Sequence, residues 1–320
     1  MYSIVINNKT ILEGLETKIT LTESIDSIAY TANVDLAIPE KIYSKVKIEK
    51  ANIIEIIEKE KKESIFKGVI WDINQTEKFS KNISLQCKER TIYLEESEDE
   101  YLFNAGTTAS GRARKLCKDW GIPIGKFEDT KTKLSKSPPK IGSIYGMMLD
   151  DLKETAQKGG GLFKYQMKNK LDLIKLGSNK KVYDLTDVVE KISSQDSLSG
   201  AVTKVKVLGK KDDNKKSPVM GVYSKNSKKL GTIQKVIQDE KIKNKSIAKS
   251  RADALFSSGD YGISVDAIDI PGIRAGDKVK LRGTYLYVSD VTHNLGEPGK
   301  MQLNLDTLSQ IRRKFYVRSQ

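Results

Sequence analysis

The chain is poor in the residues that most small-site chemistry depends on. Its 320 residues include two cysteines, Cys87 and Cys117, and one histidine, His293. Two cysteines are too few for a disulfide framework and fit a reducing compartment. Zinc needs three or four ligands, and Cys87, Cys117 and His293 have no ligand spacing. No apolar run approaches the ~20 residues a membrane helix needs. The opening MYSIVINNKTILEG has neither a basic nor an apolar leader segment, so no secretory signal is expected. A nucleophile elbow of the Gly-x-Ser-x-Gly type is missing. The loop GTTASGRA, Gly106 to Ala113, fails as a phosphate cradle. Arg112 stands where that motif needs lysine, and Ala113 where it needs a hydroxyl. The acidic run EESEDE, Glu95 to Glu100, lacks the alternating ligands and turn glycine of a calcium loop, and is expected to be a solvated linker or rim. No catalytic, cofactor-binding or metal-ligating residue and no small-molecule substrate is assigned from these motifs, and the paired carboxylates leave a glycosidase neither supported nor excluded.

Hydrophobic residues make up 38% of the chain and charged residues 31%, with a net charge of +14. Such a chain folds around two to four cores. The positive balance brings nucleic acid into consideration. The lysines are interleaved with glutamates, as in EKANIIEIIEKEKKES, and that mixing marks solvated surface rather than a specific nucleic-acid site.

Residues 1–100 have the period-two pattern of strands, in TKITLTES, YTANVDLAI, IFKGVIWDINQ and KNISLQCKERTIYL. Val69, Trp71 and Ile73 are expected on one face, as are Ile83, Leu85 and Cys87. IIEIIEKEKKES predicts a strand running into a long charged hairpin. If that hairpin, Glu55 to Ser64, reaches a neighbouring subunit, charges at Ile56 and Ile57 should weaken assembly. Residues 101–181 predict a small α+β unit. TTASGRARKLCKDWG is helical, with threonines to cap it and Gly121 to end it. SKSPPKIGS is a breaker-rich loop. SIYGMMLDDLKETAQKGGG is a helix capped by Ser143, with Tyr145, Met148, Leu149 and Leu152 as its stripe. A hairpin turning at Lys168-Asn169-Lys170 follows. Residues 182–310 return to strands carrying Val202, Val205 and Val207, with a polar loop KKDDNKKSP and a helix near 246–257. The tail 311–320 is basic and expected to be loose.

Two hairpins echo each other at a constant offset of 218 residues. Ile70, Asp72 and Ile73 fall on Val288, Asp290 and Val291. Ile83, Leu85 and Cys87 fall on Met301, Leu303 and Leu305. His293 falls on Gln75, a polar residue at the same strand end. A polar side chain there can bond the backbone of the following turn, GEPGK. No nucleophile or carboxylate is brought to the imidazole by any motif, so His293 is expected to be structural.

The stretch IPGIRAGDKVKL followed by YLYVSDVTHNLGEPGKMQLNL resembles the closing segment of phage tail hub proteins. These are the late-control D family, and especially the XkdQ/YqbQ type of Gram-positive prophages. Pro271, Gly272, Gly276, Asp277, Val288, Val291, His293, Met301 and Leu303 are the matching positions. Phe66, Gly68 and Ile70 match a first-domain strand of the same family more loosely. The resemblance implies a structural, non-enzymatic protein of mainly β, α+β class. In it, two tail-tube-like β-barrels (1–100 and 182–310) flank the small α+β domain (101–181). It further implies a homotrimeric, pseudo-sixfold hub of a contractile tail or phage-tail-like bacteriocin. Its partners would be the hexameric tube protein, the trimeric spike, other baseplate proteins and a LysM-type or tape-measure tail protein. Such a hub assembles in the cytoplasm of the producing bacterium and ends in the tail baseplate. The competing functions are a basic nucleic-acid-binding protein and a tail-associated cell-wall hydrolase.

Overall fold

The computed structural model describes residues 2–27, 29–43, 46–77, 81–167, 169–210, 216–238, 242 and 244–317. The protein is mainly β and divides into two compact units. Unit 1 comprises residues 1–192 and 264–305, and unit 2 residues 193–263 and 306–320.

Unit 1 is built on one long sheet. Its path runs through the strands Val189–Ser197, Asp260–Ile268, Lys300–Asp306, Thr284–Leu295, Glu16–Ser24, Thr31–Ile38, Lys81–Lys88, Glu63–Glu77, Ile53–Glu58, Tyr2–Ile6 and Thr10–Leu12. Among the described residues this path does not close on itself. The pairing of Thr284–Leu295 with Glu16–Ser24 joins the two ends of the chain, His293 lying opposite Leu21. Apolar residues at alternate positions of Glu16–Ser24, Thr31–Ile38, Ile53–Glu58 and Lys81–Lys88 meet in one core around Ile4, Leu21, Val34, Ile56 and Leu85.

The strand Glu63–Glu77 departs from plain alternation. Ile70 pairs with Cys87 and Asp72 with Gln86, which leaves Trp71 as the extra residue of a bulge. A second irregularity lies nearer the strand start, where Ile56 pairs with Phe66 and Ile57 with Ser64, and the two slips together decide which face each side chain takes. Phe66, Ile70 and Ile73 belong to the main core. Val69 and Trp71 instead pack with Ala29 and Ile92 on the other side. Val69, Trp71 and Ile73 therefore do not share a face. The burial pattern of the strand Thr284–Leu295 changes phase at the equivalent place. Leu286 and Val288 are buried in one phase, Val291 and His293 in the other, with Ser289 at the crossover. The echo at offset 218 thus extends to the break in alternation.

Residues 101–181 fold as helices over short sheets. Thr108 caps the helix Ala109–Asp119 by accepting from the Gly111 N–H, and Ser143 caps Ile144–Gln157 by accepting from Gly146. The strands Phe163–Met167 and Leu171–Lys175 pair as the expected hairpin, whose turn residue Lys168 lies outside the described residues. The acidic run is largely exposed, as expected of a rim, but its second half is a strand, and so is part of the breaker-rich stretch expected to be a loop. Glu98–Phe103 and Ser137–Ser143 form an antiparallel ribbon. Its register jumps between Ser137 and Lys140, so Pro138 and Pro139, which have no N–H to donate, sit in the irregularity.

In unit 2 the strand Lys204–Leu208 is central, with Val219–Ser224 antiparallel on one side and Gln234–Gln238 parallel on the other. The helix Lys245–Asp253, capped by Asn244, covers one sheet face and ends before the predicted 257. Residues 211–215 of the polar loop lie outside the described residues. The described part of the tail is helical. A capping box at Thr307 and Gln310 starts a helix over Leu308–Ile311, and a π-helical turn over Arg312–Val317 continues it. Burial of Ile311 and Tyr316 holds this segment, and residues 318–320 lie outside the described residues.

Candidate functional site

The segment Pro271 to Asp277 in unit 1 is held by several hydrogen bonds from distant parts of the chain. The Gly276 N–H donates to Val288 O at 2.7 Å, and the Gly177 N–H to Gly276 O at 2.8 Å. The Ala275 N–H donates to Glu23 Oε2 at 2.9 Å, while Ala275 O accepts from Lys164 Nζ at 3.2 Å. Asp277 Oδ2 takes the Arg274 N–H at 2.9 Å. A backbone satisfied this fully is fixed in place. Gly276 has φ +90°, and a Cβ there would lie 2.8 Å from Leu176 Cδ2 and 3.1 Å from Lys164 Cδ. Only glycine fits both the conformation and the space.

The segment carries Arg274 into a buried charge network. Its Nε and Nη2 donate to the two oxygens of Glu23 at 2.7 and 2.8 Å, and Nη2 also reaches Glu89 Oε1 at 3.0 Å. Lys164 Nζ donates to Glu23 Oε1 at 2.6 Å, and the Met167 N–H to Glu89 Oε2 at 3.3 Å. The guanidinium lies 3.8 Å from the Tyr30 ring centroid, a stacking contact that suits arginine. Burial alone would raise the Glu23 pKa, but the charges of Arg274 and Lys164 and their hydrogen bonds outweigh it and hold the carboxyl down at about 2. Burial wins at Glu89, which is raised although Arg274 opposes it. Burial likewise pushes Asp277 up to about 6. The network draws Glu23 and Glu89 from the first hundred residues, Lys164 from the middle and Arg274 from the last part.

His293 is fully buried beside it. Its Nε2 lies 2.9 Å from Ile273 O, and Nδ1 lies 2.6 Å from Asp269 Oδ1. Both ring nitrogens thus have polar partners, a carbonyl on one side and a carboxylate on the other. The imidazole therefore pins residues 269–273 against the strand Thr284–Leu295. Contrary to the sequence expectation, it does not bond the following turn directly. That turn is reached through Asp269, whose N–H donates to Gly299 O at 2.9 Å.

The other sequence candidates have structural surroundings. Arg112 is buried, pairs with Asp151 at 2.7 Å and donates through Nε to Thr107 at 2.8 Å. It ties the helices Ala109–Asp119 and Ile144–Gln157 together, while burial pushes Asp151 up to about 6. Cys87 and Cys117 are both buried, and burial raises both thiols. Among the described residues no group of three or more His, Cys, Asp or Glu side chains could hold a metal. The charged hairpin is short, turning over residues 59–62, and Ile53–Glu58 is paired on its other side by Tyr2–Ile6. Ile56 is fully buried in the core, so a charge there tests folding and not assembly.

Sequence reasoning missed Glu23, Glu89, Lys164 and Arg274. One signal was present: Ile19, Leu21, Glu23 and Ile25 share the inward phase of one strand, and a carboxylate in that phase needs a buried cation.

The sequence profile of a family described as YQBQ-like matches residues 18–306, most of the chain. A comparison with curated proteins finds no match. Solved structures share the fold. The prophage MuSo2 43 kDa tail protein of Shewanella oneidensis aligns at a TM-score of 0.73 and 12% identity, over 96% of this chain and 98% of its own. A tail protein of Neisseria meningitidis MC58 aligns at 0.69 and 12%, over 98% and 99%. The c3393 protein of E. coli aligns at 0.59 and 9%, over 99% and 79%. That protein is described as a type VI secretion component similar to the T4 tail proteins gp27 and gp5.

Proposed function

The chain belongs to the YQBQ-like family, and on that premise we propose that it is the baseplate hub of a contractile phage tail or phage-tail-like bacteriocin. It is a tail structural protein, and its work is geometric. In this reading residues 1–100 and 182–310 supply two tube-like β-barrel walls, with 101–181 as a small α+β domain. Three chains would then present six walls to a hexameric tube and three-fold symmetry to a central spike. LysM-type or tape-measure proteins would be further neighbours. Assembly would take place in the cytoplasm of the producing bacterium, before the particle is released.

The observation that supports the pseudo-sixfold reading is the repeated hairpin. Glu63–Glu77 with Lys81–Lys88 and Thr284–Leu295 with Lys300–Asp306 share their apolar positions at offset 218, and both break alternation at the same place. The buried charge network supports the reading too. A ring that bears load must not shear, and Arg274 joins segments far apart in sequence. The test is the copy number of this chain in purified tails, counted by isotope-dilution mass spectrometry against the tube protein. Three copies per particle are expected, and six copies, or none, would overturn the reading.

A further inference from the structure

The net charge is not spread evenly. Unit 2 holds nineteen lysines and arginines against eight aspartates and glutamates, which is eleven of the fourteen net positive charges. The ion pairs differ as well. In unit 1, lysines 59, 61, 67, 115, 126, 158, 164, 280 and 300 each meet a carboxylate within 4 Å. In unit 2, Arg313 pairs with Asp260 and Lys314 with Asp306. Lys204, Lys206, Lys225, Lys228 and Lys229 have no acidic partner among the described residues.

Two of these lysines lie on a bare sheet face. The helix Lys245–Asp253 packs Ala248 and Ala252 against Val205 and Val207, which takes one side of the three-stranded sheet. The other side carries Lys204, Lys206 and Leu208. Lys206 pairs with Val222 on one neighbour and Val236 on the other, so a Val-Lys-Val row crosses the sheet. Val222 and Val236 are 49% and 50% exposed, and Val219, beside Leu208, is 53% exposed. A central β-strand face with valines in water is an unfilled contact surface.

We propose that this face docks a protein surface of opposite pattern, with apolar residues at its centre and carboxylates at its rim. Apolar centre and charged rim are the usual anatomy of a protein interface. Lys204 and Lys206 can lay their methylene stems beside the valines and present ammonium groups at the edge. Lys225, Lys228 and Lys229, in the turn after Val219–Ser224, add positive charge that steers an acidic partner. A second copy of this chain would bring the same excess of positive charge and be repelled. Nucleic acid fits the charge but not the face, whose central row is aliphatic and, among the described residues, has no aromatic ring on which a base could stack. Tyr223 is turned to the helix side, where its hydroxyl donates to Lys245 O at 3.1 Å. The inference rests on the hub reading only for where the partner is found, among the proteins of the same tail.

The experiment replaces Val236 by a benzophenone-bearing residue in the full chain, assembles tails in the producing bacterium, irradiates the purified particles and sequences the crosslinked peptides. A crosslink to another tail protein, at a segment rich in Asp and Glu, is the expected result. Adding Lys206→Glu should lower its yield about tenfold by placing like charges together, with incorporation into tails unchanged. A crosslink to a second copy of this chain, to nucleic acid or to nothing overturns the inference. Absence of the chain from purified tails is a different failure, because it sinks the hub reading itself.

Discussion

Glu23 and Arg274 are separated by most of the chain, yet each is intelligible only through the other. A carboxylate moved from water into a protein core loses several kcal/mol of solvation, and Glu23 recovers it through two cations and one backbone N–H. Removing one partner of such a set is far more damaging than never having built it. Arg274→Met keeps the bulk of the side chain but leaves Glu89 without its cation and Glu23 with Lys164 alone. It is expected to cost unit 1 about 3–5 kcal/mol. Arg274→Lys should recover little, because an ammonium cannot span both oxygens of Glu23 and also reach Glu89. Both tryptophans, Trp71 and Trp120, lie in unit 1, so the urea midpoint followed by tryptophan fluorescence reports this unit directly. A loss below about 1 kcal/mol would mean the pairing is of the weak surface kind. Arg274 stood in plain view within IPGIRAGDKVKL, but nothing in that stretch says that its side chain turns inward.

At the scale of elements, the period-two pattern was legible and its interruptions were not. Ile83, Leu85 and Cys87 face the core as their alternation predicts, because an antiparallel strand with one buried side has no other register open to it. Trp71 escaped because a bulge adds one residue without any distinctive composition. The ribbon of Glu98–Phe103 and Ser137–Ser143 escaped because charges and prolines argue against strands, and only the pairing partner overrides them. Gly68 shows how tightly strands approach. A Cβ there would lie 2.3 Å from Lys88 O, a backbone atom that cannot turn aside. Gly68→Ala should therefore force Glu63–Glu77 away from Lys81–Lys88 and lower the urea midpoint by the equivalent of at least about 2 kcal/mol. Lys67→Ala, one position away, loses only a 3.5 Å ion pair with Glu55 and should stay within about 0.5 kcal/mol of the parent. Equal effects of the two substitutions would show that the strand spacing tolerates a methyl group.

Across the whole molecule, stability and charge divide between the two units. Unit 2 concentrates eleven of the fourteen net positive charges, so its compact state repels itself. Raising salt from about 0.01 to 0.15 M shortens the screening length from about 30 to about 8 Å, less than the reach of that repulsion at low salt. Hydrogen exchange at Lys204–Leu208 is expected to slow as salt rises, while the tryptophan-reported midpoint of unit 1 barely moves. Equal responses in both units would mean that the uneven charge has no energetic consequence. The sequence by itself determined the mainly β character, the capped helices at Ala109–Asp119 and Ile144–Gln157, the echo at offset 218 and the family. These follow from local alternation, capping chemistry and residue order, which need no knowledge of distant partners. Tertiary structure decided which charged side chains are buried, which residue of a strand is the bulge, what His293 bonds and which sheet face stays open. Each of these depends on atoms brought together from far apart in the chain, and a linear pattern carries no record of that approach.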